Sequence, residues 1–469
     1  MIEWWRHGHL RAIAVRLRPH FLPLSLPSSL ARTGLLLLVL SDIAAVARIG
    51  TFELAAFALG LAPFTVPQLV ATGLLSGTHV LASHARGAGR RGESWSLWQA
   101  ATLAALALGS LAVLLPWTTA PLLRLFGQSP GLAAAAVPVA TSLAPGLPAL
   151  LVGVVTQFWL EAQGRAGPGL AIVCAAVPAN LLLDFAGLFG TDAAAVAWST
   201  TVVRLVMAAA AIACASALRP AGAPLRSPQD TLRSLPQLFR LGLPWAVSQG
   251  LETLAFHALV LFAGTLGVAA LSSCHIAACL LAFVYTFTVG TGAATAIEVG
   301  RALGAGDPRR AARAGPEGVG TDLAVMGIFA AIVACRPHAV AGLFTDDPAV
   351  VGALATCMPV LALVFLLDGL MGVLAAILRG FRDLWRTTLL HALGFRGLLV
   401  PAAAVATLSG HGLHALFRAR ALGLAGLDLL LAARLGTLLR RSRPRGPRRR
   451  RMPAAPLPPP LTLAREGAT

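Results

Sequence analysis

Three observations predict an all-α polytopic membrane protein of twelve transmembrane helices arranged in two pseudo-symmetric six-helix bundles. The 469 residues are 57% hydrophobic and 12% charged, with a mean hydropathy of +0.76, above the roughly 45 to 50% apolar usage of soluble domains. Apolar runs long enough to cross a bilayer, which takes about 20 residues at about 1.5 Å each, recur along the whole chain. The two halves also repeat one another at a nearly fixed spacing. The net charge of +18 does not point to nucleic acid, because there is no lysine and the arginines gather in short segments between the apolar runs and in the tail. That pattern is topogenic, and the lipid bilayer is the implied partner.

Residues 1–24 form a basic arm carrying Trp4 and Trp5, suited either to the lipid interface or to an unstructured leader. Arg6, Arg11, Arg16 and Arg18 precede an apolar run that continues past signal-peptide length without a clear cleavage site, so the first span is expected to be retained. An N-terminal six-helix lobe, 25–217, follows, with runs near 26–50, 53–81, 98–123, 134–160, 168–189 and 193–217. Residues 218–237 are rich in Pro and Arg and read as a cytoplasmic linker. The C-terminal lobe, 238–438, has runs near 238–262, 267–300, 318–344, 350–377, 386–409 and 412–438. The last is the weakest, because Arg418, Arg420, Asp428 and Arg434 fall within it. A basic, Pro-rich tail, 439–469, ends the chain and is placed in the cytoplasm as a solvated segment or a binder of anionic lipid. The six cysteines lie in or beside apolar runs without metal-ligand spacing and read as small packing residues.

With both termini in the cytoplasm, Arg86, Arg90 and Arg91; Arg165; Arg219, Arg226 and Arg233; Arg301, Arg309, Arg310 and Arg313; and Arg379, Arg382 and Arg386 all fall on the inner side. The opposite loops hold Asp192, Asp346 and Asp347. The expected location is therefore the cytoplasmic (inner or plasma) membrane, multi-pass. The repeat pairs Gly50 with Gly267 and Gly87-Ala88-Gly89 with Gly304-Ala305-Gly306, each 217 positions apart. Leu125-Phe126 with Pro130 returns as Leu343-Phe344 with Pro348, and Gln163-Gly164-Arg165 is echoed by Arg379-Gly380-Phe381. Each unit holds an even number of spans, so both enter from the same side, and the pseudo-two-fold lies along the membrane normal around a central cavity.

These residues resemble the multidrug and toxic compound extrusion (MATE) transporters over roughly 26 to 410, and within them the bacterial NorM-type branch. The resemblance is carried by Leu26-Pro27 followed by Asp42, by LLRLFGQSPGLAAAAVPV and GLPALL, and by GLPWAVSQGLETLAF, TLGVAALSSCHIA, VGRALGAGDPRRAARA, LFTDDPAVV and ILRGFRDLWRT, in the family's order. It implies a secondary active efflux transporter, not an enzyme, that exports small organic compounds, expected to be cationic, in exchange for H+ or Na+ and without another cofactor. It also implies a monomer. The family's cation site matches Asp42, Asn180 and Asp184, with Thr200 at its sixth-helix threonine, and the NorM-type acidic pair matches Glu252 and Asp368. Bending of the first helix near Pro27 follows from the same resemblance. Ile43, Ala47 and Arg32 depart from its usual residues in that helix.

An aspartate at membrane depth must be paired, protonated or used. Asn180 and Asp184, spaced i, i+4, place an amide and a carboxylate on one helix face. Such oxygens suit Na+, and a desolvated carboxylate suits a proton carrier, so Asp42, Asp184, Glu252 and Asp368 are the candidates for either ion. The alternatives are an ion pair of Asp184 with Arg204 or Arg32, and a buried structural hydrogen bond for Glu252 and Asp368. Phe256, Phe283, Tyr285 and Phe287 are candidates for holding a cationic apolar substrate through cation–π contact, with core packing as the alternative. His79, His257 and His275 are expected to be hydrogen-bonded within the bundle, and Glu298 and Asp322 to be solvated near span ends. Gly304-Ala305-Gly306-Asp307 lacks the phosphate-loop pattern, and no ATPase motif occurs, which leaves an ion gradient as the energy source. Two other readings stay open. One is a flippase of lipid-linked saccharide precursors, for which a basic cavity with Arg32, Arg204 and Arg396 would speak. The other is a transport-deficient membrane scaffold.

Overall fold

The computed structural model describes residues 22–125, 127–187, 189–221, 233–410 and 412–441. Most of the expected arm (1–24), linker (218–237) and tail (439–469) lies outside the described residues. The rest folds into twelve helical units in chain order: α1 Leu22–Ile49, α2 Thr51–Gly87, α3 Arg91–Leu125, α4 Pro130–Leu143 with Gly146–Ala162, α5 Gly167–Ala186, α6 Ala193–Ala217, α7 Leu235–Thr265, α8 Val268–Gly304, α9 Pro308–Cys335, α10 Pro348–Gly380, α11 Leu384–Leu408 and α12 Gly412–Arg441. Eleven are single helices long and apolar enough to cross a membrane. The twelfth, α4, is a pair of helices bent by 47° that qualifies as one span. No strand occurs among the described residues.

The boundaries follow local chemistry. Ser129, Asp307 and Asp347 each cap a helix that opens on proline, accepting from the backbone N–H of Leu132, Arg310 and Ala349. Proline is suited to the first turn because its missing N–H would be unsatisfied there in any case. Asp192 caps α6 in the same way through Ala195 N–H at 2.8 Å. Gly50 is the only residue between α1 and α2, and its φ of +157° suits a residue without Cβ. Gly267, its counterpart in the repeat, makes the same corner before α8 at φ +107°. The duplication read from sequence is thus repeated in backbone conformation. The expected ninth span at 318–344 is corrected: α9 runs from Pro308 to Cys335, so Arg309, Arg310 and Arg313 belong to its first turns, and a separate short helix, Pro337–Gly342, follows.

Each lobe closes over its own apolar core. One is built around Phe57, Trp95, Trp98, Leu151 and Trp159, the other around Met326, Met358, Phe365, Leu374 and Leu424. Large apolar residues such as Trp117, Leu182, Leu261 and Leu408 face outward, as a lipid-facing surface requires. The lobes meet through small residues. A Cβ at Gly73 would strike Ala246, at Gly77 or Gly242 the backbone of Leu238 or Leu74, and at Gly290 that of Ser29. These glycines let α2 cross α7, and α1 cross α8, at backbone distance. The pairs are related by the repeat, which exchanges α1 with α7 and α2 with α8. The lobe-to-lobe hydrogen bonds of Ser29, Thr33, His84 and Arg301 all lie in the half of the molecule that holds the start of α1, here called the arginine-rich end.

Candidate functional site

Four residues named from the sequence come together in the N-terminal lobe. Asp42, buried on α1, accepts from Asn180 Nδ2 at 2.6 Å through Oδ1 and from Thr200 Oγ1 at 2.9 Å through Oδ2. The same amide nitrogen donates to Asp184 Oδ2 at 3.0 Å and approaches Ser41 Oγ at 3.2 Å. One NH2 group therefore bridges two carboxylates, as the i, i+4 spacing of Asn180 and Asp184 allows. Asn180 Oδ1 and Asp184 Oδ1 are buried without a hydrogen-bond partner in the structure. Two carboxylates sharing one neutral donor cannot both stay ionised cheaply at membrane depth. The cluster can hold a proton, or offer oxygen ligands to a small hard cation.

The departures in α1 do not touch this cluster. Ile43 and Ala47 face outward. Arg32 pairs with Glu161, so the alternative that joined it to Asp184 is corrected. Glu161 is a site residue that sequence reasoning passed over. It is fully buried near the end of α4 and receives Arg32 Nη1 at 3.0 Å, Ser28 Oγ at 2.6 Å and Gln157 Nε2 at 2.9 Å, with His79 Nε2 at 2.7 Å. The available signal was Gln157 and Glu161 at i, i+4, which places both on one face of an apolar helix.

In the C-terminal lobe the two matched acids part company. Asp368 Oδ2 accepts from Arg420 Nη2 of α12 at 2.7 Å, whereas Glu252 Oε2 is buried with no partner. Two of the four charges that weakened the twelfth run are thus explained, since Arg420 serves Asp368 and Arg434 Nε pairs with Asp383 at 2.5 Å, whereas Arg418 is exposed and Asp428 is buried with neither carboxylate oxygen hydrogen-bonded. Asp322 is corrected: it is fully buried rather than solvated, and accepts from Thr291 Oγ1 at 2.7 Å. Glu298, also expected to be solvated, is held by Arg301 at 2.8 Å and Arg310 at 3.1 Å. His79 bonds Glu161 as expected, whereas His257, which bonds only the Thr253 carbonyl of its own helix, and His275 are exposed.

A cavity of about 300 Å³ lies between the lobes toward the arginine-rich end. None of Phe256, Phe283, Tyr285 and Phe287 lines it. Phe283 and Phe287 instead pack against each other and against Phe329, with ring centroids 5.1 to 6.1 Å apart, and Phe256 lies under the Arg420 guanidinium at 5.8 Å. The cavity wall is apolar apart from a few side chains, among them Arg32, His79, Arg204 and Arg379. Arg396, named with Arg32 and Arg204 as a basic cavity residue, is corrected to an exposed position away from it. Arg379, assigned to an inner loop, takes its place.

The MatE family model matches residues 27–186 and 244–405, one block in each lobe. The chain belongs to the MatE family. A probable multidrug resistance protein NorM from Pseudomonas aeruginosa is 32% identical over 445 residues, covering 88% of each chain. Among solved structures, an outward-facing multidrug resistance MATE transporter of the MOP superfamily superposes with a TM-score of 0.82 at 20% identity, covering 90% of this chain and 96% of that one. A MOP superfamily transporter from Pyrococcus furiosus, described as having a binding pocket of reversed polarity, superposes with a TM-score of 0.81 at 19% identity, covering 90% of this chain and 95% of that one. The fold is thus shared with both solved structures, and Asp42, Asn180 and Asp184 lie inside the first matched block while Thr200 lies beyond its end.

Proposed function

We propose that this protein is a secondary active multidrug efflux transporter that exports organic compounds by antiport with H+ or Na+. The observation that carries the reading is the pair of carboxylates, buried Asp42 and half-buried Asp184, bridged by the single amide of Asn180 within a MatE fold. Asp42 and Asp184 take the coupling ion, Asn180 and Thr200 orient the carboxylates, and Glu252 is a second exchangeable acid in the other lobe. Asp368 acts in that lobe through its pair with Arg420. No step requires a covalent intermediate. The lobes rock about the midplane, and the ion shifts the population only by binding one state more tightly than the other. The arginine-rich end faces the cytoplasm of a bacterial inner membrane, with a monomer as the working unit.

The test is dye efflux from proteoliposomes under imposed pH or sodium gradients, with Asp42→Asn and Glu252→Gln beside the parent. Gradient-driven efflux lost in Asp42→Asn supports the reading. Efflux driven by neither gradient and unchanged by the substitutions overturns it.

A further inference from the structure

The cavity between the lobes carries a charge that the ion site does not use. Its lining includes three guanidinium groups, from Arg32, Arg204 and Arg379, and no carboxylate. Glu161, behind the wall, is committed to Arg32 and His79. Arg204 and Arg379 have no hydrogen bond or ion pair with any protein group among the described residues, and Arg379 has only the face of Trp245 at 5.7 Å. Asp42 and Glu252 act on them only from a distance. A half-buried guanidinium without a hydrogen-bonded counter-charge is costly, and two of them facing one cavity suit an anion there. Planar guanidinium groups favour carboxylate, sulfonate and phosphate oxygens, with which they form paired hydrogen bonds. The remaining wall is apolar, with Leu150, Ile172, Val173 and Met207 on one side and Trp245 and Val289 on the other.

We propose that this cavity binds an amphipathic organic anion, its acidic group drawn to Arg204 and Arg379 and its apolar body lying against the wall. The proposal deepens the transport reading, on which it rests for the direction of export, by naming the substrate class. That class is opposite in sign to the organic cations expected from the sequence. A volume of about 300 Å³ suits a compact molecule, at the small end of ligand pockets. The acidic group can belong to a free organic acid or to a small anionic lipid headgroup. Thr200, which donates to Asp42, lies one helical turn from Arg204 on α6, so the same helix carries the ion contact and the anion contact.

The test compares two xanthene dyes of shared ring system, anionic fluorescein and cationic rhodamine 6G, by fluorescence anisotropy on the full chain in nanodiscs of zwitterionic lipid. Fluorescein is expected to bind more tightly than rhodamine 6G to the parent, a comparison that needs no variant. Its Kd is expected to rise at least 10-fold in Arg204→Gln and in Arg379→Gln and to recover partly in the Lys variants. Thermal unfolding of each variant separates lost binding from lost fold. A parent that prefers rhodamine 6G, or fluorescein binding indifferent to both arginines in folded variants, overturns the proposal. Competition by phosphatidic acid, with its flipping between leaflets, identifies a lipid headgroup as the anion, and failure of the lipid to compete identifies a free acid. Export of both dyes is then followed in proteoliposomes. Fluorescein that binds through the arginines while neither dye moves under any gradient sinks the transport reading and leaves the site standing. Rhodamine 6G exported by a gradient while fluorescein neither binds nor moves does the reverse.

Discussion

At the scale of single residues, the N-terminal lobe contains two carboxylate centres with opposite surroundings. Asp42 and Asp184 share one neutral amide donor, and no cation among the described residues pairs with either at hydrogen-bond distance, Arg204 acting on Asp42 only from further away. Glu161 is matched by Arg32 and ringed by donors. The first arrangement suits exchange of an ion, and the second suits permanence. Asp42→Asn keeps an oxygen for Thr200 and removes the exchangeable charge. We expect it to lower gradient-driven efflux at least tenfold, read by dye fluorescence, while costing only about 1 kcal/mol of stability, in the range of one hydrogen bond. Glu161→Gln leaves Arg32 without its partner in a largely buried setting. A loss of about 3 kcal/mol is expected, seen as a lower unfolding temperature in detergent and partly restored by adding Arg32→Gln. If Glu161→Gln unfolds like the parent, the ion pair has no structural weight.

At the scale of elements, glycines decide which helices approach closely. Gly242 on α7 lies against the backbone of Leu74, whereas Gly250, two turns further along the same helix, has nothing within 4 Å of a built Cβ. Gly242→Val should force α2 and α7 apart and sharply reduce the fraction of monodisperse protein on size-exclusion chromatography. Gly250→Ala should be tolerated, because alanine is the better helix former. Equal behaviour of the two variants would contradict a close α2/α7 crossing. The elements themselves were legible in the sequence, since a span that must satisfy every backbone group internally can only be a helix, and its length is set by the bilayer. The α9 boundary was not. Arg309, Arg310 and Arg313 lowered the hydropathy of its first turns, but helical geometry continues there because Asp307 and Pro308 start the helix.

At the scale of the whole molecule, closure at the arginine-rich end is made twice by the repeat. Arg301 of α8 donates to the Ala162 carbonyl at the end of α4 at 2.8 Å, and His84 of α2, its counterpart 217 positions earlier, bonds the Gly380 carbonyl at the end of α10 at 3.2 Å. Each lobe thus holds the exposed carbonyl end of a helix in the other. Arg301→Gln should weaken that closure and shift the population toward opening at this end. The measurement is labelling of an Ala293→Cys probe on the cavity wall, in a background without other cysteines, by a membrane-impermeant maleimide added from the cytoplasmic side. A several-fold faster reaction is expected, and faster still with His84→Gln added. An unchanged rate would mean that glycine-mediated packing alone keeps this end shut.

The sequence by itself determined the helical class, the approximate spans and the duplication, each resting on hydropathy or on a repeat that survives in one dimension, while the set Asp42, Asn180, Asp184 and Thr200 was implied by the resemblance to the MATE transporters. Only the tertiary structure decided the partners of charge. Arg420 lies 52 positions from Asp368, and Arg32 lies 129 positions from Glu161, yet each pair meets at hydrogen-bond distance. The same holds for the cavity: Arg379 belongs to an inner loop by charge counting and to the wall by packing, while Arg396, expected in the cavity, is exposed on α11 away from it. Hydropathy ranks a residue by its own transfer free energy. Whether its charge is matched, exchangeable or left facing an empty space depends on which helices fold against it.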